Sequence, residues 1–358
     1  MKPKVPTRRS GLYCAAIVSM SMSVFAAASC FADEGGVSFW LPGSYGSFAA
    51  VPAVPGWTLS VSDYFAAASA GAGVARSREI ATGRFPLGLS ATVNASYGDR
   101  LGVVSIEPTY VFATPVLGGQ AAIGISTSYG RDAGTLTGTL TGSLTTGGVT
   151  VPFARSDAIS QSVWGFEDLA PVFSLRWQQG NNNVMTYVTG NIPIGTYDAA
   201  RLANLGIGFG AVDAGGAYTY YNEKTGHEFS GTLGFTYNFI NPATQYQSGV
   251  DMHFDWGASQ TLNEKYQVGL VGYFYKQIGC DGGAGARLGC FQSQVAGIGP
   301  QIGYSFPVGS LEGYLNIKVY KEFAAENRPD GWNAWLTLEL SPPERAASHP
   351  PARSGVAK

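Results

Sequence analysis

The sequence predicts an all-β fold: a transmembrane antiparallel up-and-down β-barrel of about twelve strands, with fourteen as the alternative. Three observations lead there. Segments of about ten residues alternate apolar and polar side chains and are parted by turn residues. The first 32 residues read as an export signal. Beyond that signal no run of about 18 apolar residues exists, so no helix can span a bilayer, and strands can do so only in a closed barrel that leaves no backbone group unpaired.

The export signal has the usual three parts. Lys2, Lys4, Arg8 and Arg9 form a basic start, residues 11–28 are apolar, and small residues follow, with cleavage expected after Ala32 and Ala28 as the next choice. Cys14 and Cys30 would leave with it. Residues 33–55 come next, a segment without alternation that is a candidate plug for the lumen. The barrel is expected over 56–340, and the Pro-rich tail 341–358 as disordered.

Composition agrees with a barrel wall. Only 13% of the 358 residues are charged, about half the share in soluble domains, while Gly (49), Tyr (19), Phe (19) and Trp (7) are plentiful. A large secreted sandwich would share these features, so the alternation has to decide. The net charge of −2, with no basic block after the signal, argues against nucleic acid as a partner.

Residues 229–239 show the alternation best: Phe229, Leu233, Phe235, Tyr237 and Phe239 on one face, and Ser230, Thr232, Thr236 and Asn238 on the other. Residues 311–320 oppose Leu311, Leu315, Ile317 and Val319 to Glu312, Tyr314, Asn316, Lys318 and Tyr320. Residues 250–256 oppose Val250, Met252, Phe254 and Trp256 to Asp251, His253 and Asp255; residues 169–177 oppose Leu169, Phe173, Leu175 and Trp177 to Asp168, Ser174 and Arg176. Acids and bases at mid-strand on one face, with aromatics near strand ends on the other, fit a wet interior and a lipid-facing exterior. Further strands are expected at 57–67, 89–97, 102–113, 121–129, 183–192, 206–221, 266–277, 294–306 and 333–340. That makes thirteen where single-chain bacterial barrels use even numbers, and 89–97 is the one to suspect, as part of an external loop. Short links at 180–183, 263–265 and 307–309 mark the periplasmic rim. Longer ones at 131–162, 193–205, 241–249 and 280–292 mark the outer rim, with the Thr/Gly run 134–148 as a mobile loop or extended hairpin.

The polar faces supply the candidate lining of a substrate path: Asp168, Arg176, Asp251, His253, Asp255, Glu312, Tyr314 and Lys318, joined by Tyr273 and Tyr275. Asp251, His253 and Asp255 stand about 6.5–7 Å apart along one strand. They either hold a cation or solute or form a polar stripe cross-paired with Arg176 or Lys318, since a buried charge needs a partner. Tyr45, Tyr246, Tyr273, Tyr275, Tyr314 and Tyr320 either stack aromatic solutes or fill space. Cys280 and Cys290 meet an oxidising compartment and read as a disulfide across a Gly-rich loop. No His or acidic pair joins them at metal-ligand spacing, and no metal or cofactor is expected. An enzyme is not expected: only His227 and His253 lie in the core region, and the sequence puts no serine beside either. Gly206-x-Gly208-x-Gly210 echoes a dinucleotide loop without the helix that such a loop opens.

The mature start and three loop segments carry a family resemblance. Trp40-Leu41-Pro42-Gly43-Ser44-Tyr45-Gly46 with Pro55-Gly56-Trp57 resembles the opening of the meta-pathway phenol-degradation family of transporter-like outer-membrane proteins. Gly165-Phe166-Glu167-Asp168-Leu169 resembles its Gly-Phe-Gly-Asp-Leu segment, with Glu167 departing from the second glycine. Pro193-Ile194-Gly195-Thr196-Tyr197-Asp198 with Asn204-Leu205-Gly206, and then 241–249, are similar to its next two motifs. The resemblance implies a passive outer-membrane channel whose partners are small hydrophobic or aromatic solutes and outer-membrane lipid. A structural or surface-adhesion barrel with functional external loops is the alternative. Oligomeric state has no signature in the sequence.

Overall fold

The computed structural model describes residues 38–74, 88–146, 148–286, 290 and 292–343; the export signal and the tail from 344 onward lie outside them. Thirteen strands form one antiparallel sheet: β1 Gly56–Val74, β2 Gly88–Val111, β3 Gln120–Thr146, β4 Val149–Phe166, β5 Ala170–Gln179, β6 Asn182–Asn191, β7 Ala211–Asn222, β8 His227–Asn238, β9 Asp251–Leu262, β10 Tyr266–Gln277, β11 Gln294–Val308, β12 Leu311–Glu326 and β13 Asp330–Ser341. β13 returns to β1, with Leu336 opposite Asp63, and β2 pairs with β3, so the sheet closes on itself.

The odd count resolves into an even one. β4 and β5 pair in turn with the same strand, Phe166 opposite Tyr129 and Ala170 opposite Ser126, so they form one descending stave interrupted at residues 167–169. The barrel therefore has twelve staves. The sequence reading reaches thirteen by another route, and three of its elements need correction. Residues 89–97 and 102–113 belong to one strand, β2. The expected external loop 131–162 is built of the far parts of β3 and β4, the extended-hairpin alternative, whose Thr-rich stretch pairs residue for residue from Tyr129↔Phe166 to Thr146↔Val149. β7 also starts later than expected, at Ala211, because residues 192–210 fold as a loop.

Turns of a few residues join β5–β6, β7–β8, β9–β10 and β11–β12 at the rim that also holds the start of β1 and the end of β13. Asn263 and Glu264 both take positive φ, 51° and 59°, in the three-residue turn from Leu262 to Tyr266, closed by Lys265 N–H donating to the Leu262 carbonyl at 3.1 Å. In outer-membrane barrels this is the periplasmic rim.

Alternation becomes an inside-out protein. Along β8, Phe229, Leu233, Phe235 and Tyr237 are 43–51% exposed, whereas Glu228, Ser230, Thr232, Thr236 and Asn238 are at most 4% exposed. Outward aromatics gather near both rims: Trp57, Tyr266 and Tyr304 near the short turns, and Tyr129, Trp164, Phe166, Tyr237, Phe239 and Trp332 near the long loops. Such girdles border the apolar band of barrels that sit in lipid. One outward residue breaks the rule: exposed Asp63 lies between Val104 and Leu336.

β5 to β10 run 10–12 residues, enough to cross a bilayer, which takes about 9–11. β2 and β3, at 24 and 27 residues, do more than cross it. Their excess, with β4, projects past the outer rim.

Candidate functional site

Residues 38–55 run inside the ring of strands, held by inward-facing side chains. At the turn 41–45, the Asp255 carboxylate accepts hydrogen bonds from the backbone N–H of Gly43 (3.0 Å) and Tyr45 (3.2 Å). From β12 the Lys318 ammonium donates to the carbonyls of Gly43 (2.6 Å) and Ser44 (3.2 Å). One acid and one base thus grip donors and acceptors of the same turn. Gly43 has φ +86°, a backbone that glycine adopts without strain. Further along, Phe48 N–H donates to Glu228, Ala50 N–H to the Thr219 hydroxyl, and Ala53 exchanges two hydrogen bonds with the Gln120 amide. Gly257 makes room for the chain: a Cβ there would stand 2.6 Å from the Ser47 backbone nitrogen.

Around this segment β6 to β10 fill their side of the lumen. The His253 ring stacks on Trp40 with centroids 3.7 Å apart, shares a 2.9 Å hydrogen bond between Nε2 and Asp213, and approaches the Tyr187 hydroxyl at 3.4 Å. Asp213 also accepts from Thr236 at 2.6 Å, and Asp251 accepts from the Asn238 amide at 2.8 Å. Gly234 faces inward here because a Cβ would fall 2.2 Å from the Tyr187 oxygen. Nearer the outer rim, Tyr64, Tyr273, Tyr275, Tyr320 and Trp335 pack with Val271 and Val295 into a buried cluster. Arg328 lies over Tyr275 at 4.7 Å, and Tyr273 donates to Glu322.

The opposite side stays open. β1, β2, β3 and β13 face inward with small hydroxyls, Thr58, Ser60, Ser62, Ser105, Thr109, Ser128 and Thr337, and a cavity of about 540 Å³ lies between them and Trp40, Leu41 and Tyr45 of the segment. Its charged lining comprises Asp99, Glu107, Asp132, Glu167, Asp168, Glu339, Arg176 and Lys318.

At the outer end of this chamber the chain is knotted by one carboxylate. Asp168 accepts from Asn191 Nδ2 (2.9 Å), Gly195 N–H (2.7 Å) and Ile207 N–H (3.0 Å). Asn204 Oδ1 accepts from Asp198 N–H, and Asn241 Nδ2 donates to the Tyr197 hydroxyl. The three loop segments that carry the family resemblance are therefore neighbours in space. The glycines at 206 and 208 serve this loop: a Cβ on Gly206 would meet Asp168, and one on Gly208, at φ +78°, would meet the Tyr197 ring.

Each candidate residue now has a place. Arg176, Asp168, Tyr314 and Lys318 line the chamber. Asp251, His253 and Asp255 lie in the filled side, as do the space-filling Tyr273 and Tyr275. Glu312 is exposed at the short-turn end of β12. The expected cross-pairing of Asp251, His253 and Asp255 with Arg176 or Lys318 does not form. Among the described residues the Lys or Arg ion pair is Arg201–Asp198, and His253 shares a hydrogen bond with Asp213, because backbone amides and asparagine supply the nearer partners. Cys280 and Cys290 are joined as a disulfide. His227 sits exposed at the β7–β8 turn. Sequence reasoning missed Trp40, Asp99, Glu107, Asp132 and Glu339. The Glu107 and Asp132 strands could have disclosed theirs, since both residues alternate with the apolar face.

The family model described as MetA-pathway of phenol degradation matches residues 87–338. The chain belongs to this family. Among solved structures it is similar to an outer membrane channel from Pseudomonas putida F1, at 12% identity and a TM-score of 0.60, over 82% of this chain and 98% of that one. A FadL homologue from Pseudomonas aeruginosa aligns at 7% identity and a TM-score of 0.40, over 80% of this chain and 90% of that one. No curated protein sequence matches. The family member is thus a barrel of the outer-membrane type, with the fold of a known channel.

Proposed function

We propose that this family member is an outer-membrane channel for passive uptake of small hydrophobic or aromatic compounds, exported through a cleaved signal peptide. The carrying observation is the chamber of about 540 Å³ within the barrel, walled on one side by Trp40, Leu41 and Tyr45 and on the other by serine and threonine hydroxyls. An aromatic face with a polar rim of hydroxyls is the environment that binds a ring bearing a polar group. Residues 38–55 are the plug: gripped by Asp255 and Lys318, they keep the lumen from being a general pore, and solutes pass along the chamber beside them. Diffusion down a gradient needs no cofactor. The chamber residues Arg176, Tyr314 and Lys318 line the path, while His253 and Asp255 hold the plug, Asp251 pairs with Asn238 on the filled side, and Asp168 holds the outer loop.

Influx of labelled phenol into cells with intact outer membranes, with and without the protein, tests the reading. Faster entry that saturates and is competed by other phenols is expected; equal entry in both strains overturns it. The projecting β2–β4 sheet favours a second reading, a surface barrel whose outer structure is the functional part. Deleting residues 135–160 distinguishes the two, because the channel reading expects phenol entry to survive.

A further inference from the structure

Six acidic side chains line the chamber against two cations. Asp99, Glu107, Asp132, Glu167 and Glu339 face it, and none has a Lys or Arg nitrogen within 4.0 Å. Of the two cations, Lys318 is engaged by the plug carbonyls and stands over Trp335. Arg176 remains, with Nη1 donating to Ser174 at 2.9 Å and with Glu107 and Glu339 as the acids that act on it. Two further atoms point to the kind of solute. Asp132 is 7% exposed, and while Oδ2 accepts from Asn204 N–H at 2.8 Å, Oδ1 has no hydrogen-bond partner. Thr58, 8% exposed, has an unpartnered Oγ1 on the same cavity. The Thr58 oxygen is able to accept, whereas the Asp132 carboxyl faces the neighbouring Asp99 carboxylate. Among the described residues the chamber's unpartnered donors are Arg176 Nε, on which Glu107 and Glu339 act, and the neutral indole N–H groups of Trp40 and Trp335.

From this we infer that the channel selects by charge, admitting neutral or cationic solutes that donate a hydrogen bond, such as phenols and aromatic amines, and excluding aromatic carboxylates. A carboxylate entering the chamber would meet six acidic side chains against two cations and leave its own hydration behind; a hydroxyl or ammonium would donate to the unpartnered Thr58 oxygen and to the acids. Fields of one sign within low-dielectric walls concentrate ions of the other sign and deplete their own. The inference rests on the uptake reading for its solutes, but its ionic part stands apart from it.

Two measurements on the full-length mature protein decide it. In cells, phenol, benzylamine and benzoate are offered at pH 7 and influx due to the protein is compared. Entry of phenol and benzylamine is expected to exceed that of benzoate by roughly tenfold, the low end of what a focused field gives. In planar bilayers under a potassium chloride gradient, the reversal potential is expected to have the sign of a cation-selective pore. Neutralising Glu107→Gln, Glu167→Gln and Glu339→Gln together should shrink both differences, and heat-modifiable migration reports whether that variant forms a barrel. The wild-type chain alone suffices to overturn the inference: benzoate entering as fast as phenol, or anion-selective currents, would do so. Cation-selective currents without phenol entry would remove the uptake reading and leave the charge selection in place.

Discussion

Two sides of one lumen follow the same alternation and end in opposite states. On β7 to β9 the inward residues include Asp213, Glu228, Asn238, Asp251, His253 and Asp255, each long enough to reach the plug or its opposite number, and all are at most 4% exposed. On β1, β2, β3 and β13 the inward positions beside the plug include Ser60, Ser62, Ser105, Ser128 and Thr337, interspersed with longer acids such as Glu107 and Glu339, and the hydroxyls reach only across to the next strand, as in the 2.9 Å contact of Ser62 with Thr337 and the 2.7 Å contact of Ser105 with Ser128. Polarity is alike on both sides, so polarity does not make a path. Loss of contact with the plug does: where runs of short hydroxyls separate the longer side chains, the plug is left standing off the wall and a chamber remains.

The widest consequence of that contrast is removal of the plug. Deleting residues 38–53 should join the chamber to the emptied side and raise single-channel conductance severalfold, with heat-modifiable migration retained because strand pairing is untouched. Unchanged conductance would show that the segment does not limit the path.

Next in size is the clamp. Asp255→Ala leaves the Gly43 and Tyr45 amides without their acceptor, at about 1–3 kcal/mol for each buried donor. Hydrogen exchange of residues 41–50 should rise by an order of magnitude or more, while Asp255→Asn, which keeps an oxygen, should recover part of the protection. Equal exchange in all three proteins would mean that the turn is held elsewhere.

Substitutions of equal size then sharpen the comparison. Thr236→Leu puts bulk where Asp213 and His253 already close the space and should prevent the heat-modifiable form. Ser62→Leu puts the same bulk into the chamber and should leave the barrel intact while lowering phenol entry. If the two variants behave alike, the filled and open sides are not different in kind. A smaller effect is expected on the outer wall, where Asp63→Leu removes a charge from the apolar band and should raise the temperature of barrel unfolding slightly without altering solute entry.

Much of this was readable from the sequence, and for identifiable reasons. A period of two with aromatics at the ends fixes which side of Phe229–Tyr237 meets lipid, and so the barrel follows. The stave count needed tertiary information: β4 and β5 pair with one strand on either side of residues 167–169, and nothing local distinguishes a broken stave from two strands. The roles of Asp255 and Lys318 were hidden because their partners are backbone groups more than 200 residues away, and a backbone carbonyl has no residue type to recognise. Asp168 was visible only as one member of a motif; that Gly195 and Ile207 share its two oxygens is a property of how loop 192–210 folds back.

The smallest effect expected lies at the meeting of chamber and outer projection. Asp132 is the thirteenth residue of β3, past the length that crosses a bilayer, and its carboxyl is pushed up from 3.8 to about 8, first by burial and then by the neighbouring Asp99 carboxylate. Because the folded value is raised, the protonated acid is the form the fold prefers; the stability it contributes is complete below about 3.8 and is lost as pH rises towards and through about 8. The Asn204 N–H bonded to Asp132 Oδ2 reports that loss. Its exchange, corrected for the intrinsic effect of pH, should quicken between pH 5 and 8 in the wild type. In Asp132→Asn it should stay level, since asparagine keeps the acceptor and, like the protonated acid, offers a donor to Asp99. Quickening of the same size in both proteins would place the proton on another group and free the outer loop from any dependence on this pair.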